Sequence, residues 1–521
     1  MKKFFTFILL SFSLLLSAQD ALNVELFGQF NRGDERYSGS WSYVAPDGSE
    51  YALIGAKTGM AVYSIDDASD IQELGFIPGP ATNWREITVI GQYAYVVTDV
   101  QDTGHTMQVV DLSDLPNSIS LLTSYNETFE MGHIIQRDIY SEAPYVYVHG
   151  ADSDDGTHIM DVSDPANPVE VGVYAPGYYI HDGHVKGNYL YAAAFYEDKI
   201  DVVDISDKTN PTLIAEIPDP GNNTHSSWLT EDDKYLFVAD EQNGVKSSII
   251  NVEDFDDPTP VARILANEAS LLHNPYIRGD WAFCSHNSEG LRIYDIADPT
   301  LPVEVAYYDT FLGPSGGFTG LWSACPYFPS GKIIGADRTE GLFIWTFNDT
   351  RAARFSGIVK DSISGEILPD AIVELVSNST NLPLNAQAEF RYGTLANSFI
   401  VTANLAGYNE KSISFSLAEG DTEEYIIELV PDDYSSILEE EIEVLKVSPN
   451  PFTDFTSIEI PRDVQKGIIT IQNTFGQIMQ TIPFQGNEYQ TIDGSLFPSG
   501  IYFIEVKSDK KGRTIAKVIK E

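Results

Sequence analysis

Basic residues are scarce: 31 Lys and Arg stand against 77 Asp and Glu, a net charge of −46. Such a surface repels phosphates and anionic lipid, which excludes nucleic acid as a partner. Solubility outside the cell and cation binding remain as readings of the charge. Cysteine is nearly missing, with Cys284 and Cys325 alone. At most one disulfide is available, and two buried free thiols stay equally open. No Cys follows the N-terminal apolar run, so an N-terminal lipid anchor is not available. Long apolar stretches are missing too. The run Phe4–Leu16 is short for a membrane span, and no other stretch could cross a bilayer. Between Lys2-Lys3 and Ser17-Ala18 it reads as a secretory signal peptide, residues 1–18. No Walker loop, dinucleotide fingerprint or zinc-protease motif occurs.

What is present is repetition. Ile159-Met160-Asp161-Val162-Ser163-Asp164-Pro165 recurs as Val109–Asp114, Val202–Asp207, Ile249–Asp254 and Ile293–Asp298. Weaker copies are Tyr63–Asp66 and Ile344–Thr346. The anchor positions 66, 111, 161, 204, 251, 295 and 346 are 43 to 51 residues apart. A period in the forties signals one supersecondary unit stacked many times. The apolar residues before the anchor read as a buried strand. The short acids close a turn by accepting backbone N–H groups two residues on. The following Pro fixes φ where no donor is needed.

The fourth unit predicts strands at His181–Val185, Tyr189–Ala194, Lys199–Asp204 and Thr212–Ile217. Four antiparallel strands repeated seven times predict an all-β chain built on a seven-bladed β-propeller over residues 19–350. The seventh unit has strands at Gly320–Cys325, Lys332–Ala336 and Gly341–Phe347, then lacks a fourth. Val24–Phe30 matches Val303–Tyr308 and Val169–Tyr174, so an N-terminal strand is expected to close the last blade.

Several motifs tie the chain to known groups. The Val-Val-Asp-Ile-Ser-Asp pattern resembles the LVIVD repeat. Trp84-Arg85-Glu86, Tyr179–Asp182, Thr224-His225 with Trp228–Asp232, Leu272–Asn274, Gly290–Ile293 and Gly320–Ser323 resemble the choice-of-anchor B family, propellers of secreted and surface proteins. That resemblance implies architecture rather than chemistry. Residues 351–431, with Ser356–Asp361, Ser364–Val373 and Ala406-Gly407-Tyr408, resemble a carboxypeptidase-regulatory-like module. This small β-sandwich, by resemblance, acts as a spacer or stabiliser, and it holds no metal-ligand set. Residues 432–446 form an acidic linker. Residues 447–521, with Ser448–Phe452, Gly476, Leu496, Ser499–Tyr502 and Lys517–Lys520, resemble a type IX secretion C-terminal sorting domain, a second small sandwich. From 446 to 521 nine basic and eight acidic residues give +1, so residues 1–445 carry −47. By resemblance the partner of this tail is the type IX machinery, and the tail is removed after crossing the outer membrane. The mature chain is then secreted, attached to the cell surface or released.

Aligning the first strand of each repeat places Trp41, Arg85, His133, His181, His225, His273 and Trp322 at equivalent positions, 44 to 49 residues apart. Rotational repetition would bring four of the nine histidines around one channel. Imidazole is a common ligand for transition metals and titrates near neutral pH. Glu86, Asp182 and His184 sit beside the ring. Two readings stand: packing residues copied from blade to blade, and a polar axial site. In the second, Arg85 beside the imidazoles favours an anionic ligand, a carboxylate or sulfate, over a divalent metal ion on His133, His181, His225 and His273. The protein is thus expected to bind an extracellular ligand, polymer or partner protein; the alternative is an extracellular hydrolase or lyase using the same ring. Two further strings carry less. Gly313–Gly317 fits G-x-S-x-G without a strand-to-helix elbow. Asp152–Gly156 offers carboxylates without the EF-hand spacing.

Overall fold

The computed structural model describes residues 20–33, 36–101, 106–432, 445–460, 466–486, 489–508 and 513–521. The expected signal peptide and nearly all of the acidic linker lie outside these residues. The described chain is built from β-strands. No described helix is long and apolar enough to cross a membrane.

Seven antiparallel sheets follow one another along the chain. Their first strands are Tyr37–Val44 (sheet A), Arg85–Ile90 (B), Ile134–Gln136 (C), Ile180–Lys186 (D), Thr224–Leu229 (E), Asn274–Arg278 (F) and Leu321–Cys325 (G). In sheet D the strands are Ile180–Lys186, Tyr189–Ala194, Lys199–Asp204 and Thr212–Pro218, within a residue of the ranges expected from the alternation. The turns are built as the acids predict. Asp111, Asp161 and Asp204 accept the backbone N–H of Ser113, Ser163 and Ser206, each at 2.8 Å. Those bonds hold the Asp204 carboxyl below its usual range.

Each first strand packs beside the first strand of the next sheet, and that of sheet G returns to that of sheet A. This cyclic order fits a β-propeller. Both chain ends of the repeat region meet in sheet G, where Val24–Phe30 pairs antiparallel with Gly341–Phe347, from Val24↔Phe347 to Phe30↔Leu342. A feature absent from the repeat pattern precedes it: Ala21–Leu22 adds a fifth strand to sheet F through Ala21↔Tyr308 and Leu22↔Tyr307. Asn23 turns the chain from one sheet to the next in the left-handed region, φ 54°, which Asn tolerates. Its amide donates to Val305 O at 2.7 Å.

The core follows the strand alternation. Leu53, Ile54, Val62, Ile200, Val202, Ile249, Ile293 and Trp345 are sealed from solvent. Cys284 and Cys325 are both free and buried, and burial pushes the Cys284 thiol well up.

By contact the described chain divides into two units. The first runs to Gly357 and includes Phe390–Ile400 and Ser414–Tyr425; the second holds Ile358–Glu389, Val401–Ile413 and Ile426 onward. In the second, Ile372–Leu375 lies between Thr380–Leu382 and the end of Asn397–Asn404. Its C-terminal part has its own core of Ile458, Ile469, Ile471, Ile492, Ile504 and Val518.

In the first unit one anchor acid has a second use. Asp295 is completely buried. Besides its turn bond to Ala297 N at 3.0 Å, it accepts Arg354 Nη2 at 2.8 Å and Ala352 N at 2.8 Å. Arg351 Nε stands 3.1 Å away. Replacing Arg354 by Met leaves a buried carboxylate short of a cation, which costs about 3 kcal/mol. Urea unfolding of R354M, with an unchanged m-value, is the measurement.

Candidate functional site

Two of the ring histidines and Trp322 are positioned by an irregularity in their first strands. In sheet D, Ile180 pairs with Ala194 and Asp182 with Ala193, so His181 is an extra, bulged residue. The same bulge sets His225 between Thr224↔Asp240 and Ser226↔Ala239. It sets Trp322 between Leu321↔Asp337 and Ser323↔Ala336. Bulges re-aim a side chain at the cost of one unpaired residue. His133 and His273 sit just ahead of their strands and donate their N–H to His149 O and Ser285 O at 2.9 and 2.8 Å.

The four imidazoles form a continuous run. Ring centroids are 4.4 Å apart for His133–His181, 4.3 Å for His181–His225 and 4.3 Å for His225–His273. Trp322 continues it 4.0 Å from His273, and Trp84 lies 6.3 Å beyond. Trp322 Nε1 donates to Glu86 Oε1 at 3.0 Å. His133 Nε2 and His181 Nε2 are 3.0 Å apart. His273 Nδ1 meets Trp322 O at 2.8 Å.

Two residues expected in the ring are elsewhere. Counting from the bulge in sheet A, which falls between Tyr37↔Ala56 and Ser40↔Ile54, Ser38 takes the ring place. Trp41 pairs with Leu53, as His184 pairs with Tyr191 and Trp228 with Phe237. It therefore belongs to a layer three residues further on. That layer is aromatic: Trp228 lies 4.5 Å from His184, 5.0 Å from Tyr276 and 5.8 Å from Tyr327, and Trp41 closes it 6.0 Å from Tyr327. In sheet B no bulge occurs: Arg85 pairs with Thr98 and Glu86 with Val97. The Arg85 guanidinium turns to backbone carbonyls, Nε to Ala56 O at 3.1 Å and Nη2 to Pro80 O at 2.6 Å. Arg85 was the reason to expect an anion, and it is committed to structure.

The residue immediately after each second strand supplies the groups that the repeat alignment did not pick out. These are Phe195, Glu241, Asn287 and Arg338, each following a second-strand end or the residue beyond it. Phe195 stacks 5.1 Å from His181. Arg338 lies 4.6 Å above Trp322. Glu241 Oε1 stands 3.8 Å from His225 Nε2 and 3.7 Å from His273 Nε2. Aligning second-strand ends, and not only first strands, would have found it.

Burial governs the electrostatics. It pushes His133 down to about 4 and His273 and His184 to about 3. His181 and His225 fall well below the usual range through burial and then their imidazole neighbours. Burial lifts Glu86 to about 8, against the Trp322 hydrogen bond, and Glu241 and Asp182 to about 7. Asp182 Oδ1 is held by Gly183 N at 2.6 Å. At neutral pH the imidazoles are uncharged and can donate lone pairs, while Glu241 and Asp182 sit where a carboxyl exchanges protons readily.

The other two strings are occupied locally. Asp152 Oδ1 accepts Glu130 N and Met131 N at 2.9 and 3.0 Å. Asp154 Oδ1 accepts Gly156 N at 3.0 Å. Gly313–Gly317 is a loop whose Gly316 N donates to Ser288 Oγ at 2.7 Å and Gly317 N to Asn243 Oδ1 at 3.0 Å.

Among known families, residues 82–127, 137–175, 181–217 and 276–310 match the LVIVD repeat. Residues 446–521 match the secretion system C-terminal sorting domain. The chain is therefore exported across the outer membrane by type IX secretion, to be attached at the cell surface or released. No curated protein matches it. Solved structures similar to the chain include a periplasmic gluconolactonase of Pseudomonas aeruginosa, 12% identical, with 56% of this chain and 98% of that one covered and a TM-score of 0.42. A putative 6-phosphogluconolactonase of Bacteroides uniformis is 14% identical over 67% of this chain and 95% of that one, with a TM-score of 0.44.

Proposed function

We propose that this is an exported binding protein: a seven-bladed propeller closed by its N-terminal strand, presenting a polar ligand site on its axis to the outside of the cell. In this reading residues 19–350 are the propeller. Residues 351–431 are a carboxypeptidase-regulatory-like sandwich serving as spacer, 432–446 a linker, and 447–521 a second sandwich engaging the secretion machinery. The observation that carries the binding role is the run of four imidazoles at one register with Glu241 across it. Packing alone asks only that each ring residue fill space and satisfy its own polar atoms. His181 and His225 each lean on the backbone of the next ring histidine, but His273 Nε2 is buried without a hydrogen-bond partner, which is rare unless a ligand uses it. The aromatic layer of Trp41, Trp228, Tyr276 and Tyr327 gives the site an apolar floor.

Replacing His181 and His225 together by Ala is expected to keep the melting transition within a few degrees. It should abolish the thermal shifts that binding partners of the wild type, screened from neutral and charged oligosaccharides, produce. Unfolding of the double variant would instead assign the histidines to packing. The second reading is an extracellular hydrolase or lyase, and Glu241, held near neutrality beside neutral imidazoles, is what favours it. Product release from a polymer that stops in Glu241→Gln, with binding retained, would select it.

A further inference from the structure

On the axis ring nitrogens and one carboxyl converge. His273 Nδ1 lies 2.8 Å from a backbone carbonyl, Trp322 O. The Asn274 side-chain amide meets the same nitrogen at 3.0 Å. His273 Nε2 is the free end of the ring. It is buried, has no hydrogen-bond partner, and points at a carboxylate, Glu241 Oε1, 3.7 Å away. His225 Nε2 addresses the same oxygen from 3.8 Å. On the other side of the run His133 Nε2 and His181 Nε2 are 3.0 Å apart, an N–H···N hydrogen bond in which one ring donates and the other accepts. Convergent lone pairs in a buried place ask for a Lewis acid.

The donor set fits one. A ligand atom from each of His181, His225 and Glu241 lies within 4.8 Å of the other two. His133 stands against His181 as a fourth. Ligands about 2.0–2.1 Å from a tetrahedral ion are about 3.3 Å from one another. The 3.0 Å pair is near that spacing, the 3.8 Å from His225 to Glu241 needs to close by roughly half an ångström, and the contacts of His181 with these two, within 4.8 Å, close with them. Glu241 can do so, because its side chain follows a strand end and keeps 16% of its surface open, against 1% for His225. Three imidazoles and one carboxylate suit a borderline transition ion, not a hard one such as calcium. Arg85 is tied to the Ala56 and Pro80 carbonyls, and the remaining guanidinium, Arg338, lies over Trp322 at the far end of the run from His181.

We propose that His181, His225 and Glu241, joined by His133, hold one divalent transition-metal ion on the axis of the repeat region. This rests on the reading of the axis as a binding site and names its occupant. The test uses the purified full-length mature protein, stripped with chelator and then titrated with Zn²⁺ by calorimetry and with Co²⁺ by visible absorption. Uptake of about one ion per chain is expected, with Co²⁺ bands of a nitrogen- and oxygen-ligated tetrahedral site. Glu241→Gln, which keeps the side-chain shape, should weaken Zn²⁺ binding at least tenfold, as should His181→Gln with His225→Gln. His158→Gln, at a histidine paired with Glu170 away from the run, should leave it unchanged. No uptake by the wild type, or uptake that Glu241→Gln does not weaken while its melt is unaltered, overturns the proposal. If metal uptake fails but oligosaccharide shifts are still lost in the double His variant, the metal falls and the axial binding site stands.

Discussion

A chain lacking residues 20–30 is expected to lose its single cooperative melt and to elute as aggregate. Two sheets depend on this segment. Val24–Phe30 supplies the outer strand of sheet G, and Ala21–Leu22 extends sheet F. The link between them is pinned by the Asn23 amide on Val305 O and by Tyr307 Oη, which donates to Asp20 at 2.8 Å. Losing six register pairs at about 1 kcal/mol for each net hydrogen bond removes several kcal/mol, comparable to the total stability of many domains. It also bares Gly341–Phe347, a strand of sequence Gly-Leu-Phe-Ile-Trp-Thr-Phe. Such an edge is apolar, rich in β-formers and uncharged, the profile of an aggregation site. Calorimetry and size-exclusion chromatography measure both effects. A deletion variant that stays monomeric and melts like the parent would show that the strand is dispensable.

Removal of 446–521 is expected to shift nearly all of the protein from the cell surface and medium to the periplasm. The segment matches the sorting domain of the secretion system, and the net charge of +1 sets it apart from the −47 of the rest. It also has a separate core around Ile458, Ile469, Ile492 and Ile504. The truncated chain should therefore keep the melting transition of its repeat region, so that retention is not misread as misfolding. Fractionation followed by a melt of the periplasmic protein makes both measurements. Normal surface delivery would reject the role of the tail.

Strand positions and turns were legible because both rest on local chemistry: alternation for the strands, and Asp204 or Asp161 closing a turn two residues on. Pairing of the N-terminal strand was legible because Val24–Phe30 carries the signature of a fourth strand. The ring was legible in part. A bulge inserts a residue without any composition of its own, so an alignment by residue type slid Trp41 into a place that the register gives to Ser38. Arg85 stands in a first strand without a bulge, and its guanidinium turns to backbone carbonyls. Glu241 was missed because only first strands were aligned. The burial of Asp295 was not legible, since it depends on Arg351 and Arg354, which lie beyond the repeats.

The junction of the two chain ends also sets an order of events. The Asn23 to Val305 bond spans 282 residues, and the partner of Val24 lies further still, at Phe347. A chain passing a pore N-terminus first must hold its opening strand unpaired until nearly all of the repeats have emerged. Contacts this remote form late and slowly, and until they form the repeat region is an open arc rather than a ring. Because the closing loop costs entropy only logarithmically in its length, the delay costs little stability. The last contacts of the repeat region to form are thus those between its two ends.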